Sequence, residues 1–388
     1  MRRESHLITE RSLTRRMARA RDLMQHYGID CLYLVPGRNQ RYFSGYSGWG
    51  GWPTRLGAYL LPLEEDPIRI TIPMYQGFLN GLQQPVLGHI LYLYTDGDQV
   101  MARNQVRQAL CDLKMETGTI GVEEEIRHTD YQLLKTAVPT ATVSTVSQTI
   151  LDPIRMIKDS EEIAHIRKSA NICDRFFELA REIIREGRPL NEIRVTLAKR
   201  IVELGADSSQ IPSMSCNTQR VRKGDIFDFE PDVIVEGYYA EAARTFFVGE
   251  PSVMEKIIWK TCMKTYAEIE ARVQPGVTMH ELDVLYKQLM RDGLREIVPQ
   301  YATSRRLGHG VGLAGGHEIP LVQENNMMKT QSGMVIALDA GPGPGVIEKQ
   351  DRSGFGHGAV ASGITSTVLV TRSGCERLDT FTHELIVL

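Results

Sequence analysis

The chain has 388 residues, 42% hydrophobic and 24% charged, with a formal net charge of −3. That length suits two domains of an ordinary globular protein. The near-neutral balance argues against nucleic acid as a main partner, since phosphate binding needs a basic surface, and apolar runs such as 31-CLYLV-35 are far too short to span a bilayer.

The first 28 residues are Arg-rich but carry Glu4, Glu10 and Asp22 and no apolar core, so they read as structure rather than a targeting segment. Leu13, Met17, Leu23 and Met24 fit an amphipathic helix with Ser12 as its cap and Gly28 just past its end. Strands are expected over 30–37, 57–63 and 68–73, a helix over 100–118 and a strand over 119–123. This alternation predicts a small α/β domain spanning residues 1–150. Asp152–Pro153 then breaks the chain, and Ser160 with Glu161 and Glu162 supplies a cap and an acidic first turn. Ile163, Ile166, Ala170, Ile172, Phe176 and Leu179 continue that helix to Gly187. Further helices are expected from Leu190 to Leu204, from Val253 to Val273, and over 278–293 behind a Thr278 cap. Strands cluster at 225–249, 334–340 and 366–371. Helices on one side of a mostly antiparallel sheet make residues 151–388 an α+β domain. The six cysteines have no CxxC or framework spacing, which predicts reduced thiols in a cytoplasmic protein.

Chemistry concentrates in the second domain. Within 224–249, Val233–Val235, the Gly237–Tyr238 step and Thr245–Val248 read as strand, turn and strand, flanked by Glu230 and Glu241. Two inward carboxylates on paired strands repel and lose hydration, so a fold keeps them with a compensating cation or a shared proton. An exposed hairpin with solvated glutamates is the bland alternative. Further along come His309 and His317 in Gly-rich 308-GHGVGLAGGHEIP-320, Asp339 in 333-GMVIALDAG-341 and Thr365 in 363-GITSTVLVT-371. Three carboxylates and one imidazole suit a divalent transition metal, Mn²⁺ first and Zn²⁺, Co²⁺ or Fe²⁺ as alternatives. In the first domain, Tyr46, Trp49, Trp52 and Arg55 crowd a Gly-rich loop that can stack a flat group and pair a carboxylate. The same loop reads equally well as a dimer contact.

The ordered motifs GD…E…GY…ExxRTFxVG, GHGVGL…HE, GMV…DxG and the final TVLVT strand resemble the pita-bread family of methionine aminopeptidase, aminopeptidase P, prolidase and creatinase. Residues 153–174 resemble its interdomain helix, and 28–48 the start of its first domain. The resemblance covers nearly the whole chain in the two-domain form and implies a creatinase-like N-terminal domain before a pita-bread catalytic domain. It also implies a metal site built from Asp, Asp, His, Glu and Glu. Here those positions fall on Glu230, Glu241, His309, Asp339 and Thr365, so only the histidine is kept. With Thr365 neutral, one ion or a loosely held one is expected rather than a tight pair. By the same resemblance His317 stabilises the adduct or shuttles a proton, and Glu241 stands among the catalytic groups. Arg244 stands there too, either as a substrate contact or as an ion-pair partner of the carboxylates.

These features predict a metal-dependent hydrolase that cleaves a C–N bond of a small molecule by activated water. An amino-, amidino- or amidohydrolase for a carboxylated aromatic or heterocyclic amine comes first. An Xaa-Pro aminopeptidase or prolidase is the alternative, and a catalytically degenerate binding protein the third reading. By the habit of the fold, a homodimer or larger homo-oligomer is expected.

Overall fold

The computed structural model describes residues 8–46, 55–75, 85–88, 90–210, 220–299, 301, 303, 305–313, 318–342 and 363–388. The chain divides into two compact units, Met1–Arg155 and Met156–Leu388.

In the first unit, α1 (Glu10–Tyr27) is capped by Thr9, whose hydroxyl accepts from the Ser12 amide, and closed by Gly28. Ser12, the expected cap, lies inside the helix; the earlier hydroxyl reaches the free first-turn amides. After α1 come β1 (Cys31–Leu34), α2 (Arg38–Ser44), β2 (Ala58–Pro62), β3 (Ile68–Thr71) and β4 (Ile90–Leu93). Then follow α3 (Gln99–Asp112), β5 (Thr119–Val122), α4 (His128–Ala137) and β6 (Thr142–Thr145). The strands form one mixed sheet in the order β4-β3-β2-β1-β5-β6. Cys31, Tyr33, Leu60, Ile70 and Ile120 pack with Val106 and Leu110 of α3 into its core. The helix expected to reach residue 118 stops at Asp112, and Lys114 takes a positive φ of 58° just beyond.

The second unit opens with α5 (Ser160–Ile183), which starts in a capping box between Asp159 and Glu162. Asp159 displaces Ser160 as the cap because one carboxylate oxygen accepts from both the Glu161 and Glu162 amides. There follow α6 (Leu190–Glu203), β7 (Ser208–Gln210), β8 (Ile226–Phe229), β9 (Asp232–Val235), β10 (Tyr238–Ala240) and β11 (Arg244–Phe247). Next are α7 (Val253–Arg272), α8 (Met279–Leu294), β12 (Gly308–Gly310), β13 (Glu318–Val322) and β14 (Val335–Ala340). The chain closes with β15 (Ile364–Val370), β16 (Cys375–Arg377) and β17 (Ile386–Val387). Thr278 caps α8 through a capping box with Glu281, as its sequence predicts.

The single sheet expected here is divided into three: β10-β9-β7, β17-β11-β8 and β13-β12-β14-β15-β16. Pairing is antiparallel throughout except between β11 and β17. Trp259, Cys262 and Tyr266 of α7 and Leu282, Tyr286 and Met290 of α8 pack with Ile336 and Leu338 of β14. Burying side chains of this size contributes about 1.5–3 kcal/mol each, which makes the five-stranded sheet a firm platform. No helix among the described residues is long and apolar enough to cross a membrane.

Candidate active site

Two structural devices bring the reactive side chains together. The first is the β9–β10 hairpin, whose loop residues Glu236 and Gly237 both take positive φ, 50° and 77°. That is the pattern of a type I′ turn, which matches strand twist and favours glycine. The register pairs Ala240 with Val233, so Glu230 and Glu241 flank the open end of the hairpin. Glu241 is then clamped to β15. The Thr367 hydroxyl accepts from the Glu241 amide at 3.0 Å and donates to its carbonyl at 2.8 Å. A bridge between Ala243 and Thr365 continues the contact.

The second device is the short strand β12, held between β13 and β14, with His309 opposite Leu321 and Ala337. Its two glycines are needed for space. A Cβ at Gly308 would collide with the Ala337 carbonyl, and one at Gly310 with the Ile319 carbonyl. A register shift between His309 and Gly310 turns the strand at this point.

These devices place His309 Nε2 3.1 Å from Glu241 Oε2, with both residues buried. His309 Nδ1 lies 3.0 Å from the Gly310 carbonyl, an atom that can only accept, so Nδ1 donates. In the neutral ring Nε2 would then face the carboxylate as a second acceptor. The contact therefore requires a proton or a cation between the two atoms. Burial by itself lowers the His309 pKa, but the Glu241 carboxylate more than offsets it and the net direction is upward.

The other expected ligands do not join them. Asp339 lies on β14 directly across from Thr365 on β15, and its Oδ2 accepts from the Arg305 guanidinium. Asp339 Oδ1 and Thr365 Oγ1 are buried with no hydrogen-bond partner among the described residues. Glu230 is half-buried just past β8. Among the described residues no group of three or more His, Cys, Asp and Glu is arranged to hold a metal. Of the four expected ligands Glu230, Glu241, His309 and Asp339, the structure shows Glu241 and His309 in direct contact. Asp339 is instead in contact with the Arg305 guanidinium.

The pair fits one divalent ion. Two donors on a single ion, with bonds of about 2.0–2.2 Å, lie about 3 Å apart, which is the Glu241–His309 spacing. The neutral Thr365 and the engaged Asp339 do not fit a two-metal centre.

Of the two readings of Arg244, its contacts favour the ion-pair partner, with Asp379 in place of the site carboxylates. Its guanidinium is fully buried and paired with Asp379 at 2.6 Å. It also donates to the carbonyls of Thr382, Ala243, Thr365 and Phe381 at 2.6–3.2 Å. In the first unit, Arg55 is bound to Asp96 at 2.7 Å and to the Tyr75 hydroxyl at 2.9 Å, so it is not a free carboxylate clamp. Tyr46 is half-buried with the Arg69 guanidinium 5.7 Å from its ring centroid. Trp49, Trp52 and His317 lie outside the described residues.

Sequence reasoning missed three contributors: Thr367, Arg305 and Lys158. Lys158 forms a buried 2.9 Å ion pair with Glu318 at the start of β13. The Arg305–Arg306 pair just before the Gly-His-Gly motif was a readable signal; the other two are long-range contacts with no local signature.

Comparison with known proteins agrees with the fold. Residues 164–372 match the model of metallopeptidase family M24, and residues 16–157 that of the creatinase/prolidase N-terminal domain. An Xaa-Pro dipeptidase of Pyrococcus furiosus is 24% identical over 382 residues, covering 94% of this chain and 97% of the relative. A putative dipeptidase of Bacillus subtilis is 25% identical over 390 residues, covering 96% and 99%. The recombinant prolidase of Thermococcus sibiricus superposes with a TM-score of 0.80 at 21% identity, over 97% of this chain and 99% of that one. The X-Pro aminopeptidase of Thermotoga maritima gives 0.75 at 22%, over 96% and 99%. The fold and the matched length together place this chain in metallopeptidase family M24, with a creatinase-like N-terminal domain ahead of the pita-bread domain.

Proposed function

We propose that this chain hydrolyses the C–N bond of a short peptide at a centre formed by Glu241 and His309, and that an Xaa-Pro dipeptide is the first substrate class to test. The observation that carries the proposal is the buried 3.1 Å approach of His309 Nε2 to Glu241 Oε2, with Nδ1 committed to a carbonyl. The sequence put a non-peptide amino-, amidino- or amidohydrolase first; the dipeptidase names of the full-length relatives reverse that order.

A divalent ion bound by Glu241 and His309 would supply a Lewis acid and lower the pKa of water in the site. The residues themselves divide the remaining work. The Glu241 carboxylate accepts at Oε1 the proton of the attacking water and returns it to the leaving nitrogen, within the range of about 10²–10⁴-fold that such proton transfer contributes. His309 keeps Nε2 turned toward the Glu241 carboxylate, because its Nδ1–H bond to Gly310 keeps the ring from turning away. The Thr367 clamp holds the Glu241 backbone, so the carboxylate does not need to be ordered when substrate arrives.

A non-peptide amide or amidine remains the second reading. It is favoured by the neutral Thr365 and by the pairing of Asp339 with Arg305, which leave no tight metal pair.

The test is hydrolysis of Ala-Pro and Gly-Pro, beside a panel of N-acyl amino acids, by purified chain with added Mn²⁺. The proposal expects turnover of the dipeptides and a loss of at least 100-fold in Glu241→Gln at unchanged Tm. Full activity in that variant removes the carboxylate from the centre, and turnover of the acyl panel alone selects the second reading.

A further inference from the structure

We propose that Arg305 serves as the chain's own cation at Asp339, neutralising that carboxylate internally and so denying a second divalent ion its ligand. The proposal rests on the reading that one ion sits between Glu241 and His309.

Several observations converge on it. The Arg305 guanidinium donates to Asp339 Oδ2, and the two side chains are only 23% and 12% exposed. An ion pair this far out of water is costly to separate, because each partner would be left as an uncompensated charge. The backbone around Arg305 is held in place. The Arg305 amide donates to the Thr303 hydroxyl at 3.1 Å, and the Asp339 amide donates to the Leu307 carbonyl at 2.7 Å. The Leu307 amide in turn donates to buried Asp283 at 2.7 Å. The guanidinium and the carboxylate are thus fixed to the same short stretch on either side.

Charge accounting completes the case. Across the strands from Asp339, Thr365 offers only a neutral oxygen, buried and unpartnered among the described residues. Holding two divalent ions close together requires anionic ligands between them, and none is supplied there. Guanidinium stays charged at any working pH. It therefore repels an incoming ion and takes up Asp339 Oδ2, so the charge is neutralised although Oδ1 has no hydrogen-bond partner among the described residues.

The experiment is Mn²⁺ titration by calorimetry of the full chain and the variants Arg305→Met, Arg305→Lys, Asp339→Asn and Arg305→Met/Asp339→Asn, with circular dichroism to check folding. Arg305→Met is expected to gain a second site or to bind Mn²⁺ at least tenfold tighter. Arg305→Lys keeps the charge and should match the parent, and adding Asp339→Asn to Arg305→Met should abolish the gain. Asp339→Asn alone should leave parent affinity within twofold, because the carboxylate is already engaged. This arm decides the matter if Arg305→Met does not fold. A folded Arg305→Met with no gain overturns the proposal, as does a tenfold loss of parent affinity in Asp339→Asn. A parent that binds no Mn²⁺ beside an Arg305→Met that does would uphold the Arg305 proposal and remove the Glu241–His309 ion. A parent binding one ion beside an unchanged Arg305→Met does the reverse.

Discussion

Replacing Arg244 with methionine tests whether this fully buried cation of the second unit is framework or machinery. Its guanidinium and the Asp379 carboxylate are both fully buried, 2.6 Å apart. Asp379 is otherwise held by the Ser366 hydroxyl at 2.9 Å and the Thr367 amide at 3.1 Å. Methionine fills much of the same volume but leaves a buried carboxylate without its counter-charge and removes one donor from each of four carbonyls, of which those of Ala243 and Thr365 keep a backbone amide. Breaking a buried pair on one side costs about 3–5 kcal/mol. For a unit of this size that corresponds to a fall in Tm of about 6–20 °C. Removing the stranded charge as well, in Arg244→Met/Asp379→Asn, should recover part of the loss, with a coupling of about 2–3 kcal/mol. Guanidinium chloride unfolding of the parent, Arg244→Met, Asp379→Asn and the double variant, followed by circular dichroism, closes the cycle. A loss below about 1 kcal/mol refutes the argument. So does a variant that keeps its stability yet loses turnover, which would return Arg244 to the chemistry.

Burial pushes the His383 imidazole down to about 2, helped by the Arg244 and Arg377 charges. The folded state thus binds the proton less readily than the unfolded state. Stability should be complete above about pH 6.5 and fall by about 1.4 kcal/mol per pH unit below it; His383→Gln should flatten that slope in a denaturation series from pH 7 to pH 4, and an unchanged slope would clear the residue. Gly308→Ala drives a Cβ into the Ala337 carbonyl. Over-packing costs about 1–3 kcal/mol, so the variant should lose both Tm and kcat/KM, whereas full activity at parental Tm would show that the strand yields there.

Much of the second unit was readable where the signal is local. Gly237 with its flanking alternation announced the hairpin, and Thr278 announced the start of α8, because turn and cap chemistry act over three or four residues. The Gly-His-Gly strand was legible as a motif but not as a strand, since three residues carry no periodicity and its glycines answer to carbonyls of other strands. The division of one expected sheet into three follows from pairings between distant segments, as between β11 and β17. The site divides in the same way. Glu241 and His309 were identifiable from residue type and spacing, and they do meet. The fate of Asp339 was not, because nothing within its own strand indicates that Arg305 approaches it.

Anomalous diffraction from crystals soaked in Mn²⁺ addresses the Glu241–His309 centre most directly. One peak per chain is predicted, about 2.0–2.2 Å from both Glu241 Oε2 and His309 Nε2, and it should vanish in Glu241→Gln. Two peaks, or a peak on Asp339 that ignores the Glu241 substitution, would contradict the account.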